Sequence, residues 1–114
     1  MKHLQLLVIV LLLSLGNSQA KAEEIIFSRV TDLVSRIASG ELTSVEVVST
    51  FINRAREVNK ELNAIVEWNE NAINEAQQLD IYLKKQGMVK GKLHGIPVTI
   101  KEHIAVKGMH STVR

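Results

Sequence analysis

GIPVTIKE, residues 95–102, sets a short run of strand-forming residues against a lysine. Pro97 is tolerated near the start of a strand and not in its middle. The spacing therefore predicts a strand that begins after Pro97 and closes on Lys101. Alternation places Val98 and Ile100 on one side, Thr99 and Lys101 on the other, and turns Glu102 away from Lys101. Upstream, Ala64-Ile65-Val66-Glu67 is short and rich in β-branched residues, which predicts another strand. Between the two, Ala72, Ile73, Ala76, Leu79 and Leu83 recur at helical spacing. Asn69 or Asn71 is the candidate N-cap of that helix, and it ends near Gly87. A strand–helix–strand unit normally makes a parallel pair with a right-handed crossover.

Two helices are predicted before this unit. Ile26, Val30, Leu33, Val34 and Ile37 give a helix from about Ser28 to Ser39, with Gly40 as its C′ residue. Thr43 and Glu46 have capping-box spacing. Val45, Val48, Phe51, Ile52, Ala55 and Val58 then form one apolar face, and Arg54, Arg56 and Glu57 lie mostly off it. Asn59 to Asn63 reads as a turn, and Lys90 to Gly95 as a loop. The predicted fold class is thus α/β, with N-terminal helices followed by a βαβ start. Two short parallel strands are not an independent sheet, so the unit reads as the incomplete opening of a larger domain.

Composition excludes several functions. The 114 residues carry Lys+Arg 14 against Asp+Glu 12, which offers no basic stripe for a phosphate backbone. Aromatic content of 4% provides no base-stacking platform, so a nucleic-acid partner is not expected. Cysteine is absent, which removes disulfides, thiolate zinc sites and a cysteine nucleophile. Residues 1–20 are of another kind: Lys2 and His3, an apolar run from Leu4 to Leu15, then Ser18-Gln19-Ala20. That is the pattern of a signal peptide cleaved after Ala20. A membrane span needs about 20 apolar residues, more than this run contains. The alternative is an uncleaved anchor formed by residues 4–15. Secretion or the cell exterior is the expected destination.

Lys101 is the candidate catalytic residue. A lysine acting as base near neutral pH must drop from about 10.4 to about 7 or 8, a bias of roughly 4 kcal/mol against the charged form. Burial or nearby cations supply such a shift. The other reading is a lysine at a strand edge that blocks edge-to-edge pairing, and spacing alone leaves both open. His94, His103 and His110 match neither a helix face nor a zinc hairpin, and read as loop histidines making local hydrogen bonds. No metal or cofactor is called for: Gly87, Gly91, Gly95 and Gly108 form neither GxGxxG nor a P-loop. No serine sits in a GxSxG elbow. Ser28, Ser35, Ser39, Ser44 and Ser49 read as caps or exposed positions, while Ser111-Thr112 is open to either reading. By chemistry alone, a candidate base is present and a nucleophile is missing.

LHGIPVTIKEHIAVKGMHST, residues 93–112, strongly resembles the N-terminal part of the amidase signature family, with a fatty-acid amide hydrolase flavour. SGELTSVEVV (39–48) looks like the family's helix-opening segment, and VNKELNAIVE (58–67) like its strand entry. The resemblance covers about residues 28–114, three motifs in the right order, and marks residues 21–114 as the N-terminal part of an amidase domain. It implies a mixed central sheet covered by helices and a serine–cis-serine–lysine triad, with Lys101 at the position of the catalytic lysine. Such a lysine, neutral, takes a proton from a bridging serine, which takes one from the nucleophile. The implied substrates are small-molecule amides, with lipid amides and membrane association as the narrower expectation. Departures are Lys92 where proline is usual, Glu102-His103 where many members read Asp-Asn, and Arg114 where glycine is usual. The family's glycine- and serine-rich segment is not among these residues, so the chain alone is expected to be inactive. The alternatives are a non-catalytic truncated secreted fragment or binding module, and a membrane-associated module held by an uncleaved leader.

Overall fold

The computed structural model describes residues 2–111, which places the expectations on Thr112 and Arg114 outside the described residues. Four helices follow one another: α1 Lys2–Phe27, α2 Val30–Ala38, α3 Ser44–Leu62 and α4 Ala72–Gln86. α3 packs against both α4 and α1.

The N-terminus of α3 organises this arrangement. A helix start leaves backbone N–H groups without intrahelical partners, and here four successive donors are all satisfied. Thr43 N–H donates to Glu46 Oε2 at 2.8 Å, and Glu46 N–H donates to Thr43 Oγ1 at 3.0 Å, the reciprocal capping box. Ser44 N–H and Val45 N–H donate to the two carboxylate oxygens of Asp80, at 2.6 and 3.1 Å. Asp80 lies on α4, so one carboxylate both caps α3 and joins two helices.

The core forms around this point. Ile25 from α1, Leu33 and Ile37 from α2, Leu42, and Val47 from α3 are buried together. Phe51, Leu83 and Ile96 pack against them. Each fully buried aliphatic side chain contributes about 1.5–3 kcal/mol. α2 delivers its pair because Leu33 and Ile37 are four residues apart on one face. It then stops in a Schellman motif: Gly40 N–H reaches Ile37 O and Glu41 N–H reaches Arg36 O, both at 3.0 Å, with Gly40 at φ 80°. The helix-ending role predicted for Gly40 is met, as is that of Gly87, at φ 70° after α4. Asn71 is the N-cap residue of α4, although its side chain makes no capping bond.

Two expectations about α3 are corrected. The helix continues to Leu62 and turns at Asn63, in the left-handed region at φ 48°, so residues 59–62 are helical and not a turn. Lys60, Glu61 and Leu62 are good helix formers, and nothing there breaks the ladder. Val47, absent from the predicted apolar face, is its most deeply buried member, fully inaccessible.

The larger correction concerns fold class. The α/β expectation, with its βαβ start and mixed central sheet, is overturned: among the described residues there are helices and no strand. Residues 63–69 run without regular structure because the backbone of Ile65 is already taken. Asn59 Oδ1 accepts from Ile65 N–H at 2.8 Å and Asn59 Nδ2 donates to Ile65 O at 2.9 Å. A side-chain amide thus fills the place of a neighbouring strand. Residues 96–100 have no ladder either. Ile96 N–H closes a turn onto Leu93 O at 3.0 Å, and Pro97 has no N–H to offer.

α1 is continuous through Ala20. The side chains of its apolar stretch from Leu4 to Leu11 are exposed. Its last turns touch the body through a few residues: Ile25 is buried, Lys21 Nζ meets Glu46 Oε1 at 2.7 Å, and Arg36 Nη1 meets Glu24 Oε1 at 2.9 Å, while Phe27 stays exposed. By length and composition the helix could cross a membrane, a property shared with leader sequences.

Asp80→Ala is expected to lower unfolding free energy by about 1–3 kcal/mol, because it strands two partly buried donors. Thr43→Ala strands one exposed donor and is expected to cost about 1 kcal/mol. Urea denaturation of the two variants should rank them in that order.

Candidate functional site

The Lys101 segment leaves the core at a tight crossing. His94 and Gly95 are buried, and Gly95 lies against the first turn of α3 with φ 75°. A Cβ on Gly95 would fall 2.5 Å from Ser44 Oγ and 3.0 Å from Ile37 Cδ1. Only glycine meets both the backbone angle and this approach. Beside it, the His94 ring lies 6.4 Å from that of Tyr82, and Lys90 N–H donates to His94 Nδ1 at 3.0 Å. Ser44 Oγ and His94 Nε2 are buried without a hydrogen-bond partner.

Beyond Ile96 the segment leaves the core. Val98 and Ile100 are half or more exposed, and Lys101 is exposed. The dry setting expected for this lysine is therefore not provided by the described residues. Among them, no carboxylate comes within 4.0 Å of Lys101 Nζ to hold it as an ion pair, and with no strand formed the expected alternation of Lys101 and Glu102 does not apply. Lys101 opens a loop that closes on itself. Ile104 N–H donates to Lys101 O at 2.9 Å, Met109 N–H to Val106 O at 3.1 Å, and Ser111 Oγ donates to Glu102 O at 2.9 Å.

This loop is fastened to the body by Glu67. Its two oxygens accept from His110 N–H at 3.0 and 2.9 Å, and Oε1 stands 3.1 Å from His110 Nδ1. The Glu67 carboxyl is held below the usual glutamate range, chiefly by the bond from the His110 backbone and then by that from its ring, with desolvation opposing.

The three histidines are separated in role. His94 is buried beside Tyr82, His103 is exposed, and His110 is held by Glu67. Among the described residues no three His, Asp or Glu side chains gather as a metal site. Glu67 and Asp80 carry structural contacts that sequence reasoning did not assign. Each bridges more than thirty residues, with separations of 43 and 36, and such contacts leave no local spacing signal.

A family model described as Amidase matches residues 46–113, which takes in α3 from Glu46 onward, α4 and the Lys101 loop. An amidase of Gibberella moniliformis is 43% identical over 82 residues, covering 71% of this chain and 16% of that protein. An acetamidase of Emericella nidulans is 40% identical over 83 residues, 72% of this chain and 15% of its own length. A putative amidase of Curvularia clavata is 38% identical over 84 residues, 73% of this chain and 16% of its own. The chain thus spans less than a fifth of the length of these relatives. No solved structure matches it significantly.

Glu67 predicts a titration. A depressed folded pKa means that the contact is complete above the ordinary glutamate pKa and is lost as pH falls through the folded value. The backbone amide resonance of His110 should shift with an acid midpoint below that of an ordinary glutamate, and Glu67→Gln should abolish the transition.

Proposed function

This chain belongs to the amidase family, and on that premise we propose that it is the lysine-bearing N-terminal portion of a serine amide hydrolase, with Lys101 as general base. One observation carries the reading: the family match, residues 46–113, extends across GIPVTIK and Lys101. In the proposed reaction the neutral Lys101 amine removes a proton from a bridging serine, and that serine removes one from the nucleophile. The nucleophile attacks the amide carbonyl and expels the amine, which takes up the relayed proton. Water then releases the acid from the acyl-enzyme.

Neither serine is assigned among these 114 residues, which hold no GxSxG elbow and no glycine- and serine-rich segment. On this reading the 114 residues alone have no hydrolase activity, and turnover of acetamide by the purified polypeptide would contradict it. Lys101 is exposed here, and on this reading sequence outside these residues supplies the burial or the nearby cation that a neutral amine requires.

The substrate class is a small-molecule amide. The relatives are named as amidases and an acetamidase, so acetamide is the first substrate to test. The fatty-acid amide preference rests on the residues around Lys101 alone. A higher kcat/KM for a long-chain fatty amide than for acetamide would support it, and the reverse order would remove it.

For the location of the protein we propose the secretory pathway, with residues 1–20 removed after Ala20. The basic start, apolar run and small residues before Lys21 support this. Ile25, the core residue of α1, lies beyond the cut and is retained. N-terminal sequencing of mature protein should begin at Lys21. Recovery of Met1 with the protein in the membrane fraction would favour the anchor reading.

Lys101→Met in the full-length protein is expected to lower kcat/KM by at least about a hundredfold, the usual scale for a lost general base. Unchanged kcat/KM would overturn the assignment.

A further inference from the structure

Resting on the reading of Lys101 as base, we propose that Glu67 is the positioning residue of the Lys101 loop. Among the described residues, the hydrogen bonds joining residues 101–111 to the rest of the chain are those that Glu67 accepts from His110. The other hydrogen bonds of that stretch are internal, Ile104 to Lys101, Met109 to Val106 and Ser111 to Glu102. Glu67 is therefore the polar tether of a loop that would otherwise pivot about its emergence at Ile96.

The tether has a firm base. Asn59, on α3, grips both backbone groups of Ile65, two residues before Glu67. α3 is in turn locked to α4 through Asp80. The carboxylate thus stands on an irregular segment pinned to α3 through Ile65, and takes hold of His110. The next residue, Ser111, returns its hydroxyl to the carbonyl of Glu102, adjacent to Lys101. The path from helix to lysine is continuous: Asn59, Ile65, Glu67, His110, Ser111, Glu102. The backbone N–H of His110 meets both carboxylate oxygens, an arrangement stronger than a bond to a neutral acceptor. A lysine that must meet a serine at hydrogen-bond distance has little tolerance for displacement, because a shift of about 1 Å can cost a hundredfold in rate.

The test compares Glu67→Ala, Glu67→Gln and Lys101→Met in the full-length protein, with acetamide as substrate. Glu67→Ala is expected to lower kcat at least about tenfold while KM changes less than about threefold, since the loop is misplaced and the binding pocket is not. Glu67→Gln keeps the size and one acceptor for His110 N–H, and should recover part of kcat. It serves as the test if Glu67→Ala does not fold. Hydrogen exchange at the His110 amide should quicken in Glu67→Ala. Unaltered kcat in folded Glu67→Ala and Glu67→Gln would overturn the tether. Full activity in Lys101→Met would overturn the base assignment on which it rests, and it would do so whatever the exchange at His110 shows.

Discussion

The contact between the Asp80 carboxylate and the first turn of α3 is the constraint from which the rest follows. Two N–H groups at a helix start must be satisfied or carry a desolvation cost. Here they are met by a residue on another helix, so satisfying them fixes where α4 lies. That placement sets Leu83 against the core. Gly95 crosses the same first turn of α3, between Ser44 and Ile37, and the Lys101 segment emerges from that crossing. The first turn of α3 thus carries both the joint to α4 and the exit of the Lys101 segment.

Much of the helical framework was legible in the sequence. Gly40, the Thr43–Glu46 pair and Gly87 each announce a helix end through chemistry confined to a few neighbours, and all three act as read. Apolar periodicity located Leu33, Ile37, Val48 and Ala76 on buried faces. It missed Val47, because the side of α3 that is most buried depends on where α1 and α2 approach, and periodicity holds no record of that.

The strands failed for a different reason. β-branched composition reports that a segment suits a pleated surface, not that a neighbour is present to pair with it. Ile65 has the right side chain and finds Asn59 instead of a strand. Val98 and Ile100 have the right alternation and no described partner. The site shows the same division. Lys101 could be singled out because it stands in a continuous motif, whereas Glu67 gains its contact only when the chain folds back across more than forty residues. Sequence motifs mark the residues that would do chemistry more readily than those that hold them in place.

The continuity of α1 through Ala20 has a consequence for how a processed chain would be held together. A polypeptide starting at Lys21 would keep only the end of that helix, Lys21–Phe27, far below the length of about 12–15 residues at which an isolated helix becomes viable in water. It would also place a new α-ammonium at a helix start, where the peptide dipoles repel positive charge. The stub's winding would then be borrowed entirely from its neighbours, through Ile25 and the two ion pairs to α2 and α3. Cutting at Lys21 would turn a long helix into a short docked appendage that holds its shape only while its neighbours are in place.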